Sequence, residues 1–233
     1  MKVYAVKTVD LYKKYPDKVS AIVERLDAQR QQKIVSLKKE DEKVRSIFAG
    51  SLLRYSYLQE KYSEIEWNKI KIRYEKYGKP YIHGNSKFNY SLSHSGEWVV
   101  CATDTDRVGI DIQEMRSYKL NIAKRFYNKE EYERLEKIEN ERERKECFYK
   151  MWAAKESCVK LSGRGIGAGI DRYKMSEDWT YMQEIADDGV GSLERFRIKI
   201  YNNIENYEIC VCSQKEEFPE SIEIVDVDVI LDM

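Results

Sequence analysis

The chain has 233 residues, with 41 Lys and Arg against 41 Asp and Glu, so it carries no formal net charge and no overall basic field that would by itself hold nucleic acid or an anionic membrane. A hydrophobic fraction of 42% is enough for a core, and a charged fraction of 35% calls for an extensive wetted surface, the balance of a soluble globular chain. The length allows one large domain or two small ones sharing a core, and 3 Pro and 11 Gly leave little room for a disordered linker.

In chain order, Met1 to Asp10 alternates apolar and polar residues and includes Lys2 and Lys7, which predicts a strand and not a signal peptide. The basic stretch Lys13 to Arg45 leads into an apolar helical run at Ile47, Phe48, Leu52, Leu53, Tyr55 and Leu58. Lys69 to Lys79 is also basic, alternating at Ile70, Ile72 and Tyr74 before a turn at Tyr77-Gly78-Lys79-Pro80. Short strands follow at Phe88 to Gly96 and Trp98 to Ala102, then a hairpin-like turn at Thr103 to Arg107 and a strand at Val108 to Ile112. Leu120 to Leu161 reads as helical, with the charged stretch Glu139 to Glu146 as an exposed loop or helix end. The last third alternates as strands, including Ile222 to Val229, and its acidic tail reads as a solvated edge. Strands, helices and strands again predict an α+β fold. No stretch of about 18 apolar residues suggests a membrane span. The five cysteines, Cys101, Cys147, Cys158, Cys210 and Cys212, match no zinc spacing and read as reduced core thiols, which points to a cytoplasmic protein.

Three clusters could carry chemistry. On the strand Val108 to Ile112, the apolar side chains share one face and Asp111 and Gln113 the other, while Gly109 permits close approach by a ligand or another backbone. Further on, Cys147, Met151, Ala154, Cys158 and Leu161 form one buried helical stripe, leaving Glu156 and Lys160 four apart on another face with Trp152 a turn before them. Spacing alone allows an exposed Glu–Lys pair, but the flanking Phe148, Trp152 and Val159 suggest a cleft instead. Ser91, Ser93, His94 and Ser95 could grip phosphate oxygens or form a polar strand-to-turn junction. There is no Gly-x-Ser-x-Gly elbow, and Gly163, Gly165, Gly167 and Gly169 lack the ending of a P-loop. Arg30, Lys33, Arg45 and Lys79 taken singly are solvated surface charge.

Together these segments resemble the 4′-phosphopantetheinyl transferases of the Sfp type. The resemblance rests on Gly109-Ile110-Asp111-Ile112-Gln113 and on Trp152-Ala-Ala-Lys155-Glu156-Ser157-Cys-Val-Lys160. Between and before them, in order, lie Tyr77-Gly78-Lys79-Pro80, Asn89 to Gly96 and Ala123-Lys124-Arg125-Phe126-Tyr127, so the likeness spans roughly Arg30 to Lys174.

The resemblance implies two similar α+β halves, residues 1–107 and 108–233, related by a pseudo-twofold with coenzyme A in the cleft between them. It implies transfer of the 4′-phosphopantetheine arm of coenzyme A to a serine of an acyl or peptidyl carrier protein, with Mg²⁺, releasing adenosine 3′,5′-bisphosphate. Asp111 and Glu156 would be metal ligands, with Gln113 beside them where family members commonly carry Glu; this departure implies a higher magnesium requirement. Glu156 would also take the serine proton, Lys160 would neutralise the attacked phosphate, Lys155 would assist, and Glu131 lies where an acid often helps the metal site. Ser93, His94, Lys79, Arg30, Lys33 and Arg45 would contact the phosphates of coenzyme A. The segment Ser162 to Tyr173, with Ile166, would meet the carrier, and the enzyme would act as a monomer in nonribosomal peptide or polyketide biosynthesis. Against this stand a homologue that binds coenzyme A or a carrier without turnover, and a nucleic-acid binder using the basic stretches, which zero net charge disfavours.

Overall fold

The computed structural model describes residues 1–165, 169–186 and 192–233. The chain opens with β1 (Lys2–Lys7) and the helices α1 (Leu11–Lys14), α2 (Val19–Glu24), α3 (Ala28–Ser36), α4 (Glu40–Gln59) and α5 (Glu64–Trp67). The strands β2 (Ile72–Tyr74), β3 (Pro80–Ile82), β4 (Asn89–Ser95), β5 (Trp98–Asp104) and β6 (Val108–Glu114) follow. Then come α6 (Leu120–Phe126), α7 (Lys129–Glu136) and α8 (Glu141–Ser162), and after them β7 (Tyr173–Met175), β8 (Tyr181–Ile185), β9 (Ser192–Tyr201), β10 (Tyr207–Ser213), β11 (Glu223–Ile224) and α9 (Val227–Asp232).

Strand alternation decides how these elements stack. One sheet has the order β11-β1-β5-β4 and the other β6-β10-β9-β8-β7, with β2 and β3 as a separate hairpin. In the first sheet Tyr4, Val6, Val99 and Cys101 pack on Ile47, Phe48 and Leu52 of α4. Their neighbours Val3, Ala5, Val100 and Ala102 face the other way, onto Val108, Ile110, Ile112, Ile209 and Val211 of the second sheet. The far face of that sheet, including Ile198, Cys210 and Cys212, receives Ala154, Cys158 and Leu161 of α8. The result is four layers, α4, sheet, sheet and α8, which make the α+β fold of two halves expected from the sequence. All five cysteines are free and buried.

Three sequence readings change. The turn at Thr103 to Arg107 does not close a hairpin: β5 and β6 belong to different sheets, so this turn carries the chain from one half to the other. The helical stretch from Leu120 is three helices, and Asn140 starts the last by accepting from the Arg142 and Glu143 amides, so most of the charged stretch is already helix. The tail is not a solvated edge. Its β11 pairs parallel to β1, and Asp226 caps α9 by accepting from the Asp228 amide, turning Val227 onward into a helix that buries Ile230 and Leu231 against the first sheet. No helix among the described residues is long and apolar enough to cross a membrane.

One contact positions the second half's helix. A Cβ built on Gly109 would lie 1.9 Å from the Ser157 carbonyl oxygen and 2.7 Å from the Leu161 nitrogen, so α8 and β6 meet backbone to backbone there. Gly109→Ala cannot be absorbed by a side-chain rotation. It should cost about 1–3 kcal/mol and lower Tm by roughly 5–10 °C in a thermal melt; an unchanged Tm would refute the contact.

Candidate active site

The close seat at Gly109 sets Asp111, two residues along β6, under the middle of α8. Asp111 is only 1% exposed. Its Oδ1 accepts from the Ser93 hydroxyl at 2.7 Å and from the Lys160 ammonium at 2.6 Å, and the ammonium also donates to Ser93 Oγ at 2.7 Å. Its Oδ2 accepts from the Gln113 amide nitrogen at 2.8 Å. Glu156, one turn before Lys160, hydrogen-bonds to Asp111 and receives a bond from Trp152. Burial and the neighbouring Asp111 carboxylate push the Glu156 pKa up to about 7, against the pull of Lys160. Two carboxyl groups close enough to share a proton, with an amide beside them, form an oxygen-only donor set of the kind hard divalent cations take. Among the described residues no group of three His, Cys, Asp or Glu could hold a metal ion.

The serines of β4 explain how two strands from different sheets are held at this edge. Ser91 Oγ accepts from the Ile110 amide at 3.1 Å and Ser95 Oγ from the Glu114 amide at 3.0 Å, with Ser93 on Asp111 between them. The Ser93 hydroxyl, expected at a phosphate, is buried here and hydrogen-bonded to Asp111 and Lys160. The i, i+2, i+4 spacing of the three hydroxyls was the available signal for such a seam.

His94 points to the other face of β4. The residue is exposed, yet partial desolvation of its imidazole by neighbouring groups, followed by the positive fields of Arg45, Lys160, Lys33 and Arg30, lowers its pKa, to about 4. The structure thus brings together four of the cations and the histidine that the sequence singled out. Arg45 is paired with Asp41 on α4 at 2.8 Å. Arg30 and Lys33 have no side-chain partner among the described residues, and burial beside Arg30 lowers the Lys33 pKa. Both line a cavity of about 320 Å³ whose wall also includes Asp27, Tyr74, Glu156 and Lys160.

Lys79 lines the same cavity, but its ammonium is spent on backbone: it donates to the Val108 carbonyl at 2.9 Å and the Lys160 carbonyl at 2.5 Å. Burial and the neighbouring Arg107 lower its pKa to about 8. Arg107 takes the next carbonyl, Leu161, at 3.2 Å, and Gly163, at φ 70°, ends the helix in the left-handed conformation. The expected phosphate contact of Lys79 is therefore corrected to a cap on the C-terminal end of α8, where a cation meets unpaired carbonyls.

Lys155 is a second correction. It is 0% exposed, its ammonium lies 2.7 Å from Glu131 Oε2 and donates to the Tyr173 carbonyl, and it sits 5.5 Å from the centre of the Tyr127 ring. It fastens α8 to α7 and β7 and cannot reach a phosphate at the Asp111 edge. Glu131, its partner, also closes the capping box of α7 with Asn128 and accepts from the Met175 amide at 2.8 Å, so it serves packing and not the oxygen cluster. Gln113, expected as a ligand through its carbonyl oxygen, presents its amide nitrogen to Asp111. Ile166, expected at the carrier surface, lies outside the described residues.

A family model described as the 4′-phosphopantetheinyl transferase superfamily matches residues 107–212, and one described as 4′-phosphopantetheinyl transferase, N-terminal, matches residues 12–106. The chain is 33% identical over 186 residues to the 4′-phosphopantetheinyl transferase ffp of Bacillus subtilis, covering 78% of this chain and 80% of that one. It is 33% identical over 184 residues to Sfp of Bacillus subtilis strain 168, with the same two coverages. To psf-1 of Bacillus pumilus it is 32% identical over 190 residues, covering 80% and 78%.

The shared-proton arrangement has a stability signature. The native Glu156 carboxyl keeps its proton to about pH 7, whereas the unfolded group loses it near its ordinary 4.5. The native state therefore binds the extra proton across that window, and stability falls as pH rises through it. In metal-free buffer, Glu156→Gln should raise Tm at pH 8 while changing it little at pH 4.5. An equal effect at both pH values would show that the two carboxyls do not compete.

Proposed function

The chain belongs to the 4′-phosphopantetheinyl transferases of the Sfp type, enzymes that transfer the phosphopantetheine arm of coenzyme A to carrier proteins, and from that premise we propose that Asp111, Glu156 and Lys160 carry the reaction, with Mg²⁺ and release of adenosine 3′,5′-bisphosphate. The observation that supports this most is the meeting of the Asp111, Glu156 and Lys160 side chains, two of which, Glu156 and Lys160, line the cavity. Mg²⁺ would be held by Asp111 and Glu156, with Gln113 offering its carbonyl oxygen once the amide turns over; the oxygen-only donors and the like-charged pair suit that ion. When bound, it supplies charge neutralisation on the diphosphate.

The protein's own groups do the rest. Lys160, whose ammonium lies beside Asp111, would donate to the oxygens of the phosphate under attack. Glu156 takes the proton of the carrier serine, directly or through a water. The serine oxygen forms its bond to the phosphorus that bears the pantetheine arm, and the bond to the bridging oxygen of the diphosphate breaks. Adenosine 3′,5′-bisphosphate leaves with that oxygen. Arg30, Lys33 and Arg45, with neutral His94 among them, hold the phosphates on the nucleotide side, and the unpaired state of Arg30 and Lys33 supports that role. In this reading residues 1–107 supply the nucleotide contacts and residues 108–233 the metal site and the catalytic helix. The chain acts as a cytoplasmic monomer, and its carriers belong to nonribosomal peptide or polyketide assembly.

The test is mass spectrometry of an apo carrier domain incubated with the protein, coenzyme A and Mg²⁺. The carrier serine should gain the mass of the arm, and Asp111→Asn and Lys160→Ala should each lower kcat by about 100-fold or more. A carrier of unchanged mass would mean a homologue that binds without turnover. Full rate in either variant would remove that residue from the chemistry.

A further inference from the structure

The cavity also contains polar groups that phosphate binding does not use. Tyr90, on β4, is 2% exposed, and its hydroxyl has no hydrogen-bond partner among the described residues. Asp27 spends one oxygen as the cap of α3, accepting from the Arg30 amide at 2.9 Å, while its other oxygen, Oδ2, is buried without a partner. Both residues line the cavity, together with Ile72, Tyr74 and Pro80. Arg30, Asp27, Cys101 and Tyr74 are ionisable neighbours within electrostatic reach of the Tyr90 hydroxyl, and of these Arg30, Asp27 and Tyr74 line the cavity with it.

Buried polar atoms left unpaired cost stability unless something completes them. A carboxylate oxygen repels phosphate and needs a donor; a hydroxyl can donate to a ring nitrogen. Tyr74, Ile72 and Pro80 add apolar lining, including one aromatic ring, to the same cavity. In coenzyme A the base and the 3′-phosphate are on the same ribose, so a phosphate on Arg30 and Lys33 brings the base within reach of Asp27 and Tyr90.

Resting on the transferase reading above, we infer that Asp27 and Tyr90 are specificity-determining residues that select the base of the donor: Asp27 Oδ2 accepts from a 6-amino group and the Tyr90 hydroxyl donates to a neighbouring ring nitrogen. A 6-oxo purine would put a carbonyl against the carboxylate. The protein therefore discriminates adenine from hypoxanthine donors. Asp27→Asn is a clean probe, because asparagine keeps the cap of α3 and only replaces the second oxygen with a donor.

The experiment is calorimetric titration with adenosine 3′,5′-bisphosphate and inosine 3′,5′-bisphosphate. The unmodified protein should bind the adenosine form at least 10-fold more tightly. In Asp27→Asn the preference should vanish or invert with Tm unchanged, and Tyr90→Phe should weaken the adenosine form several-fold while affecting the inosine form less. Equal affinities in the unmodified protein, or a preference untouched by Asp27→Asn, would overturn the inference. The carrier assay with coenzyme A and with its hypoxanthine analogue separates the two claims. If no arm is transferred from either donor, the transferase reading fails, while the nucleotide titration still decides the base selection.

Discussion

The arrangement depends on how closely α8 can approach β6. A helix seated through side chains stands about 10 Å from a sheet, but the missing side chain at Gly109 lets the backbone of Ser157 and Leu161 come to contact distance. That seat is why a carboxylate on a strand and a carboxylate–ammonium couple on a helix, separated by more than forty residues, share hydrogen bonds. The C-terminal end and the middle of α8 are fixed independently. Lys79 and Arg107 take its last carbonyls from the first half of the chain, and buried Lys155 ties its middle to Glu131. Breaking a buried pair of this kind by removing one partner typically costs about 3–5 kcal/mol, because the other charge is left uncompensated. The lysine inside the signature motif is therefore a strut, and its neighbour Glu156 does the chemistry in the proposed reaction.

The same geometry creates an electrostatic conflict that the protein resolves locally. Asp111 and Glu156 are like charges in a poorly hydrated place, and three donors, Ser93, Lys160 and Gln113, converge on Asp111 while Glu156 retains a proton to about pH 7. In the proposed reaction a divalent ion would take the place of both the proton and the ammonium beside these carboxyls. Nearby, Glu208 on β10 is raised to about 7 for the simpler reason of burial, and one of its oxygens has no partner. Burial is the first cause at both, and Glu156 differs in having a second carboxylate, Asp111, within hydrogen-bond reach.

Periodicity made much of this legible in the sequence. The alternation of β6 put Asp111 and Gln113 on one face, and the 3.6-residue repeat of Cys147, Met151, Ala154, Cys158 and Leu161 gave the buried stripe of α8, with Glu156 and Lys160 off it. Gly109 signalled a close approach, and the approaching group is the backbone of α8. What stayed hidden has a common physical cause, which is that it depends on partners distant in sequence. Alternating serines look the same whether they face phosphate or the amides of β6. Lys155 beside Glu156 looks like a second catalytic cation until Glu131 is packed against it. The alternation Ile222 to Val229 reads as a strand, and the Asp226 cap breaks it into a two-residue strand and a helix. The orphaned oxygens of Asp27 and Tyr90 could not be read from any motif, because only the folded cavity shows that nothing among the described residues pairs with them.

The most direct test is a crystal grown with coenzyme A and Mn²⁺ and measured at the manganese absorption edge. The account requires one anomalous peak bound by carboxylate oxygens of both Asp111 and Glu156, with the Lys160 ammonium moved from Asp111 to the diphosphate. A cation held without one of those carboxylates, or Lys160 still on Asp111 with the nucleotide in place, would contradict it.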